Sequence, residues 1–464
     1  MNIQIPNSLS AINKATGVHQ YTDMMAHEEK GPHIIARAEG IRLFDDEGRG
    51  FIDGMAGLWC TALGHSEQRL KDAAAAQMDT MTYTHIFAHR SHQPAIELAE
   101  RLTKRAPASI TRAFFTNSGS ESIDAMIQMV WYYNNALGRR EKKKIIGRDR
   151  AYHGVTAAAG SLTALPYKQN DFDLPVNDRF LKVTCPHHYR YAQADETEEQ
   201  FGARLADEVE NLIIAEGPDT VAAFVGEPIM GAGGVLIPPK NYWPAVEKIC
   251  RKYDVLLVCD EVINGFCRTG EFWGSEAVGG VQPDIMTVAK QLSSAYLPIG
   301  ATLVSEKVYE AIAANSPKHG VFGIGMTYGG HPVCAAVALE TLKIYEERDI
   351  LGHVQSVAPL FKERYDALAA HPLVGEARCI GLIGAIELVA NKETREQFAP
   401  TAKAAPTVYQ HMMEAGTFGR PLPGDAVAFC PPLIVSEDDI NQMFDHLTIG
   451  LDKAEAHLAP HRAA

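Results

Sequence analysis

No C-x-x-C pair and no regular spacing occurs among the eight cysteines, at positions 60, 185, 250, 259, 267, 334, 379 and 430. A zinc site and a disulfide framework are both without support, no metal is expected, and a reducing cytoplasm is the expected setting. No apolar stretch approaches the length of a membrane span, and Met1-Asn-Ile-Gln-Ile-Pro6 shows no basic region leading into an apolar run. Neither a membrane partner nor a targeting leader is therefore expected. Positive charge is in deficit: 43 Lys and Arg against 57 Asp and Glu leave a net charge of −14. Such a field repels a phosphate backbone and argues against nucleic acid as a partner, while anionic small molecules need only local arginines. Low-complexity tracts and internal repeats are missing as well. What is present is a 464-residue chain, 46% apolar and 22% charged, long enough for one large and one smaller core.

Short apolar runs alternate with longer helical patterns through the middle of the chain, the signature of βαβ units and a mostly parallel sheet. The strand candidates are Ala113–Thr116, Lys144–Gly147, Ala222–Gly226, Val255–Val258, Ile285–Val288 and Ile299–Val304. Between them Ile123, Met126, Ile127 and Val130 recur at helical spacing, and Trp243-Pro244 opens a helix that ends before Val255. Ahead of this block, Ile41 to Asp53 reads as a hairpin turning at Asp46-Glu-Gly48. After about residue 330 come long helical patterns, a strand candidate at Leu382–Leu388 and a polar-capped helix from Ser436. The expected fold class is α/β: a large domain with a mostly parallel mixed sheet flanked by helices, and a smaller α+β domain built from both chain ends. The expected division is 1–60 and 331–464 for the smaller domain and 61–330 for the larger.

Chemistry concentrates where strands end. Asp254-Val-Leu-Leu-Val-Cys-Asp260-Glu261-Val262 sets a carboxylate at the end of an apolar strand, and Pro283-Asp-Ile-Met-Thr-Val-Ala-Lys290 sets a lysine after a second one. A lysine amine can form a Schiff base with an aldehyde cofactor, and a buried carboxylate can keep a pyridine nitrogen protonated so that the ring draws electrons. Read alone, Asp260 and Glu261 are equally a surface pair at a strand end, and Lys290 a solvated lysine. Asn117-Ser118-Gly119-Ser120-Glu121 follows a strand and opens a helix, where free N–H groups and the dipole favour a phosphate. The same residues also read as a capping box, with Ser118 as N-cap and Glu121 three residues on. Tyr152-His153-Gly154 offers an aromatic for stacking on a planar ring, and Gly226-Glu227-Pro228-Ile-Met-Gly-Ala-Gly-Gly234 lets backbone approach a ligand closely.

Taken in order, these segments resemble the fold-type I, class III pyridoxal-phosphate aminotransferases from about Tyr21 to Leu451. Within that family Asp53-Gly-Met-Ala-Gly-Leu-Trp59, Tyr152-His-Gly-Val155, Gly231-Ala-Gly-Gly234 and Arg420-Pro-Leu look like the pocket segments of the amine–pyruvate or omega-transaminases. The resemblance implies pyridoxal 5'-phosphate as cofactor, with Lys290 as its Schiff-base lysine and Asp260 as the pyridine partner. It makes Tyr152 and Val262 the residues that sandwich the ring, Ser118, Gly119 and Ser120 the phosphate turn, His153 a further cofactor contact and Glu227 a supporting acid. Thr327 would reach the phosphate of a partner subunit. Leu58, Trp59, Phe87, Tyr152, Val155 and Ala232 would line the substrate pocket, and Arg420 would swing to pair with a substrate carboxylate. A homodimer, or a tetramer, with shared active sites is implied, taking an amine donor and a keto acid, with pyruvate first. The chain departs from the family where Gln291 follows Lys290, where Thr327 precedes Tyr-Gly-Gly, and where Ile86 precedes Phe87 in Thr84-His-Ile-Phe-Ala-His-Arg90. Lys290 and Asp260 alone do not choose which bond breaks, so an aminomutase, a decarboxylase of the same fold and a non-catalytic cofactor-binding protein stand beside the aminotransferase at this point.

Overall fold

Three sheets carry the chain in the computed structural model, which describes residues 8–175 and 177–462, the side chain of Asn177 excepted. The first begins with β1 (Ile35–Glu39), β2 (Arg42–Asp45) and β3 (Gly50–Asp53), each antiparallel to the next. The expected turn lies between β2 and β3. There Asp45 Oδ1 accepts from the N–H groups of Glu47 and Arg49, at 3.1 and 2.8 Å, and Gly48 takes φ +83°. β1 was not foreseen, because its mostly exposed Ile-Ala-Arg-Ala-Glu sequence shows no buried face to read.

The central sheet contains β4 (Ile110–Thr116), β5 (Lys144–Arg148), β6 (Phe180–Val183), β7 (Val221–Gly226), β8 (Leu256–Asp260), β9 (Ile285–Val288) and β10 (Gly300–Ser305), in the order β4-β10-β9-β8-β7-β5-β6. β10 runs antiparallel to both neighbours and the other pairings are parallel. All six expected strands are present; the edge strand β6, Phe-Leu-Lys-Val, was too short and mixed to announce itself. β7, β8 and β9 are buried throughout, which is why they read as continuous apolar runs. Ile123, Met126, Ile127 and Val130 of helix Gly119–Ala136 pack with Ala223, Val225, Leu256 and Val258. Trp243 and Val246 of helix Tyr242–Lys252 pack with Phe224, Leu257 and Cys259, the alternate residues of the same strands. Two helical layers therefore enclose the sheet, and its parallel strands all deliver their carboxyl ends to one edge.

Helices Pro332–Glu347 and Ile350–Leu368 lead into β11 (Val374–Ile380) and β12 (Ile383–Leu388), followed by β13 (Thr417–Phe418), β14 (Arg420–Leu422) and β15 (Ala426–Phe429). β11, β12, β15 and β14 form an antiparallel sheet in that order, while β13 pairs in parallel with β3 and so ties residues 417–418 to the first sheet. Ser436 caps the last long helix, Glu437–Leu458, its hydroxyl accepting from Asp439 N at 3.2 Å. A buried ion network joins the central and C-terminal sheets. Glu376 and Glu387 take Arg378 and, from the other side, His187 and Arg190. Among the described residues no helix is long and apolar enough to cross a membrane.

Candidate active site

The carboxyl ends of β4, β5, β7, β8 and β9 are followed at once by Ser118, Tyr152, Glu227, Val262 and Lys290, with Asp260 as the last residue of β8. These residues line one narrow pocket together with Gly119, Ser120 and His153. Parallel α/β sheets bind ligands at this edge because the chain turns away there and leaves a crevice.

Asp260 and Glu261 are not the surface pair that the segment alone allowed. They are 3% and 0% exposed. Glu261 turns away from the pocket to accept from Gly274 N and Ser275 N, and its burial pushes the carboxyl pKa up to about 7. Asp260 Oδ2 meets His153 Nδ1 at 2.7 Å, and its Oδ1 accepts from Thr287 Oγ1 and Val262 N, each at 3.1 Å. Three groups thus hold one carboxylate at a fixed angle to the pocket. Glu227, also buried, accepts from Tyr152 N at 3.1 Å and Gly231 N at 2.9 Å, and desolvation raises its pKa. It clamps the stacking segment against the glycine-rich one.

Lys290 opens a 3-10 turn with φ +46°, a left-handed conformation that costs an L-residue about 1 kcal/mol or more. It keeps contact with the pocket, yet the protein packed round its amine withdraws it from bulk water and pushes the ammonium pKa down. At the opposite end, Ser118 caps helix Gly119–Ala136 by accepting from Glu121 N at 3.2 Å. The capping box is only half formed: Glu121 Oε2 accepts from Asn117 N at 2.7 Å instead of from the N-cap residue. The first-turn N–H groups of Gly119 and Ser120 find no acceptor within the helix. Gly154, at φ +134°, passes so close to Ser120 that a Cβ there would lie 2.6 Å from its Oγ. Only glycine lets the Tyr152 segment close on the helix start.

The remaining candidates lie around this floor. Trp59 is buried at φ +64°, Leu58 and Val155 are exposed, and Ala232 is half-buried in the glycine-rich turn. Arg420 is anchored in β14, paired with Ala428. Arg378 and Arg462 have carboxylate partners, but Arg420 has none among the described residues. Its charge acts on the hydroxyls of Tyr21, Tyr152, Tyr167 and Tyr409. Phe87 and Thr327 are not brought to the Lys290 pocket of their own chain. Phe87 lines a separate cleft of about 860 Å3 with residues 320–326, and Thr327 is exposed beside it, its carbonyl accepting from Tyr83 OH at 2.7 Å.

Three participants went unread in the sequence, and a fourth, Gln291, stood out only as a departure from the family. Thr287 supports Asp260, and Tyr21 donates to Tyr152 OH at 3.1 Å across 131 positions. Gln291 and Arg268 form a buried contact behind Lys290. No local pattern marks any of the four; an isolated apolar Thr-Val in β9 would at most have hinted at Thr287.

The donor set fits a flat, phosphate-bearing pyridine aldehyde. It has a dipole-backed phosphate turn, a fixed buried carboxylate at one end of the pocket, an aromatic and a branched aliphatic among its walls, and a desolvated amine. Comparison with known proteins points the same way. Residues 24–450 match the family model for class-III aminotransferases. An omega transaminase from Pseudomonas jessenii, solved in complex with PMP, superposes with a TM-score of 0.95 at 49% identity, covering 98% of this chain and 100% of that one. Gamma aminobutyrate transaminase 1, mitochondrial, of Solanum lycopersicum is 45% identical over 413 residues, 89% of this chain and 80% of its own length. Probable gamma-aminobutyrate transaminase 2, mitochondrial, of Oryza sativa subsp. indica is 44% identical over 93% of this chain and 86% of its own length.

Proposed function

We propose, from the premise that the chain belongs to the class III aminotransferases, that it moves the amino group of a primary amine or ω-amino acid to a keto acid, pyruvate first among them. Its cofactor is pyridoxal 5'-phosphate, as throughout that family. When bound, the cofactor supplies an electron sink for the pair released as the substrate carbon loses its proton.

Every other part belongs to the chain. Asp260, oriented by His153, Thr287 and Val262 N, presents a carboxylate to a pyridine N–H, an ion pair strengthened by burial. The N–H groups of Gly119 and Ser120 receive the phosphate, and Tyr152 and Val262 confine the ring. Lys290 would hold the cofactor, and its amine, once free, would act as the base that takes the proton from the substrate carbon and as the acid that gives it back. An amine whose pKa is depressed by burial is free to accept that proton nearer neutrality than an exposed lysine would be. The second half-reaction runs the same steps backwards with the keto acid, so the kinetics are ping-pong.

The observation that carries the donor and acceptor reading is Arg420, a cation without a carboxylate partner among the described residues, set among tyrosines. Its long side chain pairs with the carboxylate of a keto acid or ω-amino acid and withdraws when an uncharged amine occupies the same space. Lys168, with Nζ 3.9 Å from the centre of the Tyr21 ring, adds positive charge nearby. The relatives are named gamma-aminobutyrate transaminases and the solved neighbours omega transaminases, and 4-aminobutyrate carries its amino group away from its carboxylate. The working form is a homodimer in which Phe87 and Thr327 complete the neighbour's site, in the cytoplasm, where the eight free cysteines stay reduced.

A donor panel tests this reading. β-Alanine, 4-aminobutyrate, a diamine and an arylalkylamine are each mixed with holoenzyme, and the yellow absorbance is followed. Loss of the band with at least one donor and its return on adding pyruvate is expected. Return with 2-oxoglutarate but not with pyruvate would overturn the choice of acceptor.

A further inference from the structure

Behind the pocket a fully buried arginine touches no carboxylate among the described residues. Arg268 is 0% exposed, and the titratable groups acting on it are the thiols of Cys430, Cys267 and Cys60 and the phenol of Tyr345. Burial of an ammonium or guanidinium without a counter-ion is costly, and this one is held by carbonyl and amide oxygens alone. Nη1 donates to Leu382 O at 2.9 Å and Pro431 O at 2.6 Å, both next to strands of the C-terminal sheet. Nη2 donates to Gln291 Oε1 at 3.1 Å. The backbone repeats the contact, Leu382 N donating to Arg268 O at 3.0 Å. Gly381, at φ +53°, comes so close that a Cβ there would collide with the backbone of Arg268 and Thr269.

Gln291 faces two ways. Its amide nitrogen donates to Ile263 O at 2.7 Å and Gly265 O at 3.0 Å, in the loop that leaves Asp260. Its own carbonyl accepts from Tyr345 OH at 2.6 Å. The residue beside it is Lys290, in a conformation that L-residues adopt only when their surroundings impose it. Gln291 is thus the one side chain that bonds both the Asp260 loop and Arg268 while its backbone continues that of the lysine.

We infer that Gln291 and Arg268 are positioning residues: they tie the seating of the C-terminal sheet to the turn that aims the Lys290 amine. The inference rests on the reading of Lys290 as the lysine that holds the cofactor. If the sheet shifts, Arg268 shifts with Leu382 and Pro431, and the lysine turn loses the bond that keeps it left-handed. A misplacement of about 1 Å at such a group is worth up to about 100-fold in rate.

The test uses the full chain stripped of cofactor and remixed with pyridoxal phosphate. The rate at which the yellow lysine-linked band develops is read beside the cofactor dissociation constant from equilibrium dialysis and the thermal midpoint. Gln291→Met keeps side-chain length and removes all three bonds; attachment should slow about 10- to 100-fold while cofactor affinity stays within about threefold. Gln291→Glu keeps an acceptor for Arg268 but loses both amide donors to the Asp260 loop, so its rate should fall between those of Gln291→Met and wild type. Gly381→Ala should slow attachment in the wild-type background and add little in Gln291→Met, because both act through one path. The inference is overturned by a wild-type rate in Gln291→Met, by rate and affinity falling together with the thermal midpoint, by Gln291→Glu as slow as Gln291→Met, or by additive effects of Gly381→Ala. Should Gln291→Met not fold, Arg268→Lys, which retains charge but not the fork, supplies the slowed rate with affinity retained. Peptide mapping of borohydride-reduced wild-type holoenzyme tests the Lys290 assignment by itself, so the two failures are distinguishable.

Discussion

The floor of the pocket and its rim are built by different rules. Asp260 ends one strand of the central sheet, Lys290, Glu227 and Ser118 each come after another, and hydrogen bonds from neighbouring segments hold the two carboxylates in place. The rim comes from segments scattered over the chain, Tyr21, Leu58, Val155 and Arg420, and the residues near 87 and 320–328, which line a separate cleft, would join the rim of the neighbour's site in the proposed dimer. Much of it is exposed and apolar: Val321 is 60% and Tyr328 61% exposed. A floor of interlocked polar groups is held in place by bonds within one chain. An exposed apolar rim is the kind of surface that a second protein surface covers. On the proposed function, reaction type would reside in the floor, and choice of substrate and assembly in the rim.

The largest effect should come from the floor. Lys290→Ala should keep its cofactor through the phosphate turn and Asp260 yet lose about 10,000-fold or more in turnover, followed by steady-state assay of the purified variant. Near-normal turnover would break the distinction outright. At the rim, Arg420→Ala should raise the Michaelis constant for pyruvate about 10- to 100-fold, the worth of one charge-assisted pair, and change that for an arylalkylamine much less. Equal changes in both half-reactions would remove the substrate-sorting role. Val321→Asp, also at the rim, should weaken self-association about tenfold by burying an unpaired carboxylate. Sedimentation velocity would report it as a shift toward monomer with parallel loss of activity, and a fully active monomer would contradict the shared site.

The smallest effect is a matter of pH. In the folded, cofactor-free chain the Lys290 ammonium pKa lies below its ordinary 10.5 because the amine is desolvated. Charging it therefore opposes folding. That cost is full below the folded pKa, fades as pH rises from there toward 10.5, and is gone above it. Cofactor-free Lys290→Met should accordingly melt about 2–4 °C above wild type at pH 7, with the gap narrowing by pH 10. A gap that widens with pH would reverse the sign of the shift.

The lysine, the aspartate and the helix-start turn were readable because each sits where a continuous apolar run gives way to a polar residue. Local sequence records such a boundary without help from the rest of the chain. Even there the reading was incomplete. Asp260 and Glu261 are adjacent and alike in sequence, but β8 ends so that one faces the pocket and the other the start of helix Gly274–Ala277. The strand at Arg420 went unread because three residues of edge strand, one of them proline, show no periodicity.

By itself the sequence determined the alternation of strand and helix, the apolar strands that must be buried on both faces, and the residues at their ends capable of this chemistry. These follow from side-chain polarity at short range. Only the tertiary structure decided which distant groups meet: His153 with Asp260, Tyr21 with Tyr152, Arg268 with Gln291 and Leu382, and Phe87 and Thr327 away from the lysine of their own chain. Such meetings depend on strand order and crossover, set by the packing of whole layers, and no window of neighbouring residues encodes them.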